Sequence, residues 1–222
     1  MRRLLIPLLL LTLANGVVFG LWPELDLALV ETLRGPDGFQ DKVDGLRQLR
    51  AVLYFLPSGL LALLVLGWVA TRFGLPTPKL ARPRLQTVLY LAVSLALGPG
   101  LIVNAGFKDH WHRPRPVQVV EFGGPFEFRP WYRTDGQCRR NCSFVSGEVA
   151  ASAWLIGAAA LVPAAFKVPA MALAAAVTAV TALMRVAFGG HFPSDVVFAA
   201  LFTLLLMVIL RRFWPRSEDG AS

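Results

Sequence analysis

Six long intervals without a charged residue constrain this chain more than any other feature: Leu4 to Pro23, Ala51 to Thr71, Leu85 to Phe107, Val149 to Phe166, Val168 to Met184 and Val196 to Leu210. A helix crossing the hydrocarbon core of a bilayer needs about 20 mostly apolar residues. A domain of 222 residues has no means of enclosing six such stretches as core helices. The expected fold class is therefore all-α, a bundle of six transmembrane helices, with the three shorter intervals extended through flanking polar residues. Composition agrees: 55% of residues are hydrophobic and 16% charged, outside the range of soluble domains. The first interval also resembles the start of a secretory signal, since Arg2 and Arg3 precede Leu4 to Leu11. Ala14, Asn15 and Gly16 make a poor cleavage site and the apolar run continues past them, so a retained span is expected.

Cationic residues in short loops mark the cytoplasmic side. Arg2 and Arg3, then Arg72, Lys79, Arg82 and Arg84, then Lys167, and finally Arg211, Arg212 and Arg216 all fall on one side if every span crosses. Both termini are then cytoplasmic, and the loops Glu24 to Arg50, Lys108 to Glu148 and the turn around His191 face outward. For a bacterial-type inner membrane, outward means periplasmic. The second outer loop breaks the rule. Lys108, Arg113, Arg115, Arg129, Arg133, Arg139 and Arg140 face only Asp109, Glu121, Glu127 and Asp135, an excess that suits an anionic ligand. The net charge of +8 is otherwise explained by cytoplasmic anchoring, and no nucleic-acid motif is present.

No linker divides the chain, so residues 1–222 read as one membrane domain, with an extracytoplasmic insertion at 117–141 between spans three and four and a disordered tail at 217–222. Within the insertion, Val117 to Phe122, Gly123-Gly124 and Pro125 to Arg129 suggest a short hairpin. Phe122, Phe126, Phe128, Trp131 and Tyr132 would either rest on the lipid interface, shaping a way in for an acyl chain, or pack on one another. The only cysteines, Cys138 and Cys142, share this loop. An oxidising compartment would permit a disulfide; free thiols or half of a zinc site are the other readings. No second Cys/His pair stands at a spacing that completes a zinc tetrahedron, so no metal or cofactor is expected.

Three polar clusters close the outer ends of spans: Lys108-Asp109-His110-Trp111-His112-Arg113-Pro114-Arg115-Pro116, Ser143-Phe144-Val145-Ser146-Gly147-Glu148, and Arg185 with His191 and Asp195. Singly, each has a plain explanation. A cation at a membrane edge is commonly an anchor, Ser146-Gly147-Glu148 reads as a helix cap with an acidic first turn, and Asp195 as the cap of span six. Together on one face they suit the holding of a phosphate while its phosphorus is attacked, a reaction catalysed mainly by positioning and charge stabilisation. Lys108, Arg115 and Arg185 would ligate non-bridging oxygens, and Ser146 and Gly147 would add donors at a helix N-terminus. A neutral His191 would be the nucleophile, with Asp195 as a carboxylate able to fix its tautomer.

These spacings resemble the type-2 phosphatidic acid phosphatase superfamily, which includes lipid phosphate phosphatases and vanadium haloperoxidases. Its first motif, Lys, six residues, then Arg-Pro, is met by Lys108, Arg115 and Pro116; its third, Arg, five residues, His, three residues, Asp, by Arg185, His191 and Asp195. The resemblance implies a six-helix bundle and a metal-independent hydrolysis in which His191 forms a phosphohistidine that water then cleaves. The chain departs from the second motif, Pro-Ser-Gly-His, by reading Val145-Ser146-Gly147-Glu148, and Met184 stands where Ser is common. In the family the histidine of that motif protonates the leaving oxygen.

Glu148 would replace that acid only if burial holds it protonated against Lys108, Arg115 and Arg185. If it stays ionised, it would bind a substrate hydroxyl or amine, or activate the hydrolytic water, and leaving groups needing little protonation would be easier to expel. His110 and His112 are further candidates for the donor. The expected activity is hydrolysis of a lipid-linked phosphate, with lipid A slightly preferred over undecaprenyl diphosphate and phosphatidate or phosphatidylglycerol phosphate. The alternatives are a phosphotransferase using the same intermediate and a catalytically silent phospholipid-binding protein. Lipid phosphate and membrane lipids are the expected partners, with no nucleic acid.

Overall fold

The structure is a computed structural model, and it describes residues 4–77 and 82–215. Arg2, Arg3, Lys79, Arg216 and the tail at 217–222, all assigned a place from sequence, lie outside the described residues. All regular secondary structure among the described residues is helical, with two isolated bridges and no strand. Its main elements are α1 (Leu5–Leu21), α2 (Glu24–Leu33), α3 (Asp44–Arg72), α4 (Leu85–Leu95), α5 (Gly147–Ala159), α6 (Ala164–Ala187) and α7 (Pro193–Phe213). Four stretches are long and apolar enough to cross a membrane: α3, Leu85–Val103, α6 and α7. The pair α1 and α2, bent by 95°, makes a fifth if taken as one span. The chain is thus a multi-pass membrane protein.

The break between α1 and α2 follows from Pro23, which lacks the N–H that would carry the first helix onward. Beyond it α2 buries Asp26 and Val30, and α3 begins at Asp44, so much of the stretch from Glu24 to Arg50 that reads as a loop is helical. The apolar interval Val149 to Phe166 is likewise divided. α5 stops at Ala159 before Pro163, and Phe166 and Lys167 belong to the first turn of α6. At 13 residues α5 is about 20 Å long, well short of a bilayer core.

What α5 lacks in length it makes up in burial. It is apolar around most of its circumference and packs against α3, α6 and α7 and the helix that follows α4. Gly157 allows the closest approach: a β-carbon there would collide with the Met207 side chain of α7. From the middle of α4 the Tyr90 hydroxyl donates to the Met207 carbonyl oxygen at 2.7 Å, and near its end Ser94 Oγ accepts from Trp154 Nε1 at 2.9 Å. The polar ends of these buried rings thereby tie α4, α5 and α7 together. At the opposite end a second core gathers Phe144, Val145, Val149, Val186, Phe192 and Phe198 under the loop rings Trp111, Phe122, Phe128 and Trp131.

From Ala96 to Phe107 the helix after α4 widens into i→i−5 winding. Pro99 within this stretch cannot donate to a preceding carbonyl, which disfavours a regular α-helix there. The wider winding continues to its end, where Lys108 N–H reaches the Val103 oxygen at 3.2 Å. Such widened turns are found mostly at functional sites.

Residues 117–141 differ from the expected hairpin. Pro116–Gln118 and Val120–Phe122 form 3-10 turns, closed by Val120 N–H to Phe126 O at 2.8 Å and Phe126 N–H to Gln118 O at 2.9 Å. Gly123, at φ 87°, supplies the left-handed residue that ends the second turn. Most of the aromatic residues pack inward rather than on lipid. Trp131 lies against Phe144 and Phe198, Phe128 against Phe192, and Phe122 against Phe39, while Tyr132 stays exposed. Burying these rings favours a loop folded down on the helix ends over a flat ribbon.

Candidate active site

The three sequence clusters converge at one end of the bundle, delivered by four helix termini. Lys108 follows the widened helix, Ser146 caps α5, Arg185 ends α6, and His191 and Asp195 sit at the entry to α7. The short path from Arg185 to His191 depends on two glycines. Gly189 adopts φ 63° and donates its N–H to Val186 O, and Gly190 N–H bonds Arg185 O at 3.0 Å, which satisfies the last carbonyls of α6. A β-carbon at Gly190 would fall onto the Arg185 guanidinium, 2.8 Å from its Cζ.

His191 is fully buried, and its Nδ1 lies 2.6 Å from the main-chain oxygen of Ser143. A carbonyl oxygen only accepts, so Nδ1 carries the proton and Nε2 keeps its lone pair. Burial, followed by the charges of Arg185, Arg115 and Lys108, pushes the His191 pKa well below the ordinary imidazole value. The ring is held neutral, the form a nucleophile needs.

Asp195 stands one step back from the ring. Its two oxygens receive Arg113 Nη1 at 2.5 Å, Ser143 Oγ at 2.5 Å and the Phe192 N–H at 3.0 Å. The expectation of a direct partner for His191 is replaced by a relay: Asp195 holds Ser143, and Ser143 holds His191. The reason is competition, because Arg113 is completely buried and takes the carboxylate first. Arg113 also pairs with Asp26 of α2 at 2.7 Å and lies 4.4 Å from the centre of the Phe192 ring. Asp26 in turn accepts from the Ser194 N–H and hydroxyl.

The phosphate-binding candidates differ in how occupied they are. Arg115 donates to both Asn141 O and Asn141 Oδ1. The Lys108 ammonium makes no hydrogen bond or ion pair among the described residues, and burial together with Arg115 and Arg185 lowers its pKa. Arg185 is 5% exposed, and its Nε has no hydrogen-bond partner although Glu148 Oε1 lies 3.4 Å away. Ser146 is buried and accepts weakly from the Val149 N–H at 3.4 Å, as a helix cap does.

Glu148 is gripped from a direction the sequence does not suggest. Arg50, in the second turn of α3, donates from Nε to Oε2 at 2.9 Å and from Nη2 to Oε1 at 2.6 Å. A paired-donor contact of this kind, with Arg185 on the other side, stabilises the carboxylate form. His112 is engaged through Nδ1 with the Cys138 carbonyl oxygen at 2.9 Å, and His110 is exposed. Cys138 and Cys142 are joined in a disulfide that closes the loop carrying Asn141.

Sequence reasoning therefore located Lys108, Arg115, Ser146, Gly147, Glu148, Arg185, His191 and Asp195 at one place, but missed Arg50, Arg113, Asp26 and the Ser143 carbonyl. Arg113 had a visible signal, the cationic excess between Lys108 and Glu148. Arg50 had a fainter one, a cation at the head of an apolar interval, and Asp26 had none.

Residues 87–219 match the family model of the PAP2 superfamily. A protein of Francisella tularensis subsp. novicida named lipid A 4'-phosphatase is 41% identical over 136 residues, covering 60% of this chain and 61% of that protein. A Rhizobium leguminosarum protein of the same name is 40% identical over 127 residues, 57% of this chain and 54% of that protein. The chain thus spans somewhat more than half the length of these relatives. The crystal structure of a transmembrane PAP2-type phosphatidylglycerolphosphate phosphatase from Bacillus subtilis superposes with a TM-score of 0.56, covering 94% of both chains at 21% identity.

Proposed function

The chain belongs to the PAP2 superfamily, and from that premise we propose that it is a membrane lipid phosphatase that hydrolyses a phosphate from lipid A through a phosphohistidine on His191. One observation carries this reading: Arg185 is buried with a donor unfilled, beside an uncommitted Lys108 and a neutral His191 whose Nε2 is free. Leaving a buried guanidinium donor unpaired is costly, and an anion filling the space between these groups would repay it. The names of the relatives make the 4'-phosphate of lipid A the first substrate to test.

In this mechanism Lys108, Arg115 and Arg185 neutralise the non-bridging oxygens, with the N-terminus of α5 at Ser146 and Gly147 adding donors. Nε2 of His191 attacks phosphorus, the bond to the lipid oxygen breaks, and water later releases phosphate from the imidazole. The Ser143 carbonyl fixes the tautomer that leaves Nε2 available, and Asp195, by accepting from the Ser143 hydroxyl, holds that residue in place. The Cys138–Cys142 disulfide keeps Asn141 against Arg115. The site faces the periplasm of a bacterial inner membrane, with both termini cytoplasmic and with α1 and α5 completing six spans. Residues 117–141 are an insertion within one domain.

The test is phosphate release by purified protein from lipid A, undecaprenyl diphosphate, phosphatidate and phosphatidylglycerol phosphate, with chelator present, beside His191→Ala. Release from one class that disappears in His191→Ala supports the reading. Transfer of the phosphoryl group to an added lipid acceptor with no free phosphate would make the chain a phosphotransferase. Binding without turnover by well-folded protein would leave a silent phospholipid-binding protein.

A further inference from the structure

A phosphatase of this kind needs a proton for the oxygen that leaves, and the groups around Glu148 bear on where it comes from. Glu148 is faced by Arg50 from α3, Arg185 from α6 and Lys108 from the widened helix end. Arg115 of the outer loop adds to the positive field, with Asn141 as its own partner. Asp109 lies beyond, close enough to act on Lys108. Of the remaining ionisable groups, His191 is neutral and Asp195 is committed to Arg113 and Ser143. His112 is bound to the Cys138 carbonyl and His110 is exposed. Among the described groups around Glu148, Lys108 is uncommitted but is assigned to the phosphate oxygens, and no protonated carboxyl or imidazole stands ready to serve the leaving oxygen.

We infer that Arg50 is a positioning residue that holds Glu148 as a carboxylate, and that the proton for the leaving oxygen comes from the substrate's own singly ionised phosphate. This rests on the phosphatase reading above. Glu148 then favours the monoanion twice over: its charge repels a dianion, and its lone pairs accept from a P–OH. The step balances. Nε2 of His191 forms a bond to phosphorus, the P–O bond to the lipid breaks, and the P–OH proton moves to the departing oxygen. The products are a neutral alcohol and a phosphoimidazolium of net charge minus one, equal to the charge of the monoanionic ester that entered. Arg50 lies ahead of the segment that matches the family model, so α3 contributes to the site from outside it.

The experiment is kcat/KM against pH from 5 to 8 for wild type, Glu148→Gln, Arg50→Met and Lys108→Arg on the same lipid phosphate. The second ionisation of a phosphate ester lies near pH 6, so the wild type is expected to lose about tenfold per unit above that value. In all three variants the rate falls but the descending limb stays at the same pH, because it belongs to the substrate. The inference is overturned if the wild type shows no descending limb, or if the limb vanishes in Glu148→Gln or Lys108→Arg. An upward move in Arg50→Met would overturn it too, since that is the behaviour of a Glu148 acid released from its partner. Failure of the underlying reading looks different: folded wild type releases no phosphate at any pH.

Discussion

Ser143 stands between His191 and Asp195, giving its main-chain oxygen to His191 Nδ1 at 2.6 Å and its hydroxyl to Asp195 Oδ2 at 2.5 Å. The carbonyl belongs to the backbone and survives mutation, whereas the hydroxyl does not. Ser143→Ala is therefore expected to keep the His191 tautomer but leave one lone pair of a buried carboxylate unfilled, costing about 1 to 3 kcal/mol of stability. Thermal unfolding in detergent measures the cost. Phosphate release should fall far less than in His191→Ala, and a loss as deep as that one would mean the Ser143 hydroxyl itself takes part in the chemistry.

Gly190 makes a sharper test of Arg185. A β-carbon there meets the guanidinium rather than the backbone, so Gly190→Ala should fold and displace Arg185 from the site. A misplacement of this size commonly lowers activity by about 100-fold. Gly189→Ala is expected to behave differently, because φ 63° and the Phe39 ring 2.8 Å from a new β-carbon make it a folding defect. Comparing kcat/KM with the melting temperature separates the two.

The buried His191 gives the protein a definite response to acid. Its folded pKa is depressed, so between about pH 6.5 and that lower value the unfolded chain binds a proton at this residue and the folded chain does not. Stability contributed by the neutral ring is complete above about 6.5 and is lost as pH falls towards the folded value. His191→Gln should flatten this part of the stability curve. For the same reason, protonation of the nucleophile should not reduce kcat/KM at the ordinary imidazole pH.

How much of this was legible in the sequence depended on distance along the chain. The Arg185 to His191 segment is one helix end and one turn, so its spacing carries its geometry, and the Lys108 to Arg115 segment is equally local. The contacts that decide the state of the site join residues 98 apart, as in Arg50 and Glu148, or 168 apart, as in Asp26 and Ser194. Nothing in a local pattern marks such partners. The expected hairpin failed for a related reason: alternation and a Gly-Gly pair suggest a ribbon, but the aromatic side chains gain more by packing on Phe192, Phe144 and Phe39. The interval from Val149 to Phe166 looked like one span because proline carries no charge, yet Pro163 separates α5 from α6.

Reduction of the Cys138–Cys142 bridge provides a test at the edge of the site. So small a loop gives the denatured chain little entropy to lose, about 2 kcal/mol in the chain-entropy account. Its larger consequence is local. The bridge brackets Asn141, which holds φ 53° and supplies both acceptors to Arg115. Cys138→Ser with Cys142→Ser should raise KM for the lipid phosphate more than it lowers kcat, and a reductant should do the same to wild type but not to the double variant.

Arg113 is the residue on which the architecture and the site depend together. It is wholly buried, pairs with Asp26 at 2.7 Å and Asp195 at 2.5 Å, and so joins α2 to the start of α7. Removing one partner of a buried ion pair leaves an uncompensated charge and costs about 3 to 5 kcal/mol, and here Arg113→Met would strand two carboxylates. Asp26→Asn is milder, because Ser194 still has an amide oxygen to donate to and Arg113 keeps Asp195. If the network serves only to dock α2, Arg113→Met combined with Asp26→Leu should recover much of the stability of Arg113→Met alone. If Arg113 chiefly positions Asp195 behind His191, the double variant will regain its melting temperature without regaining phosphate release.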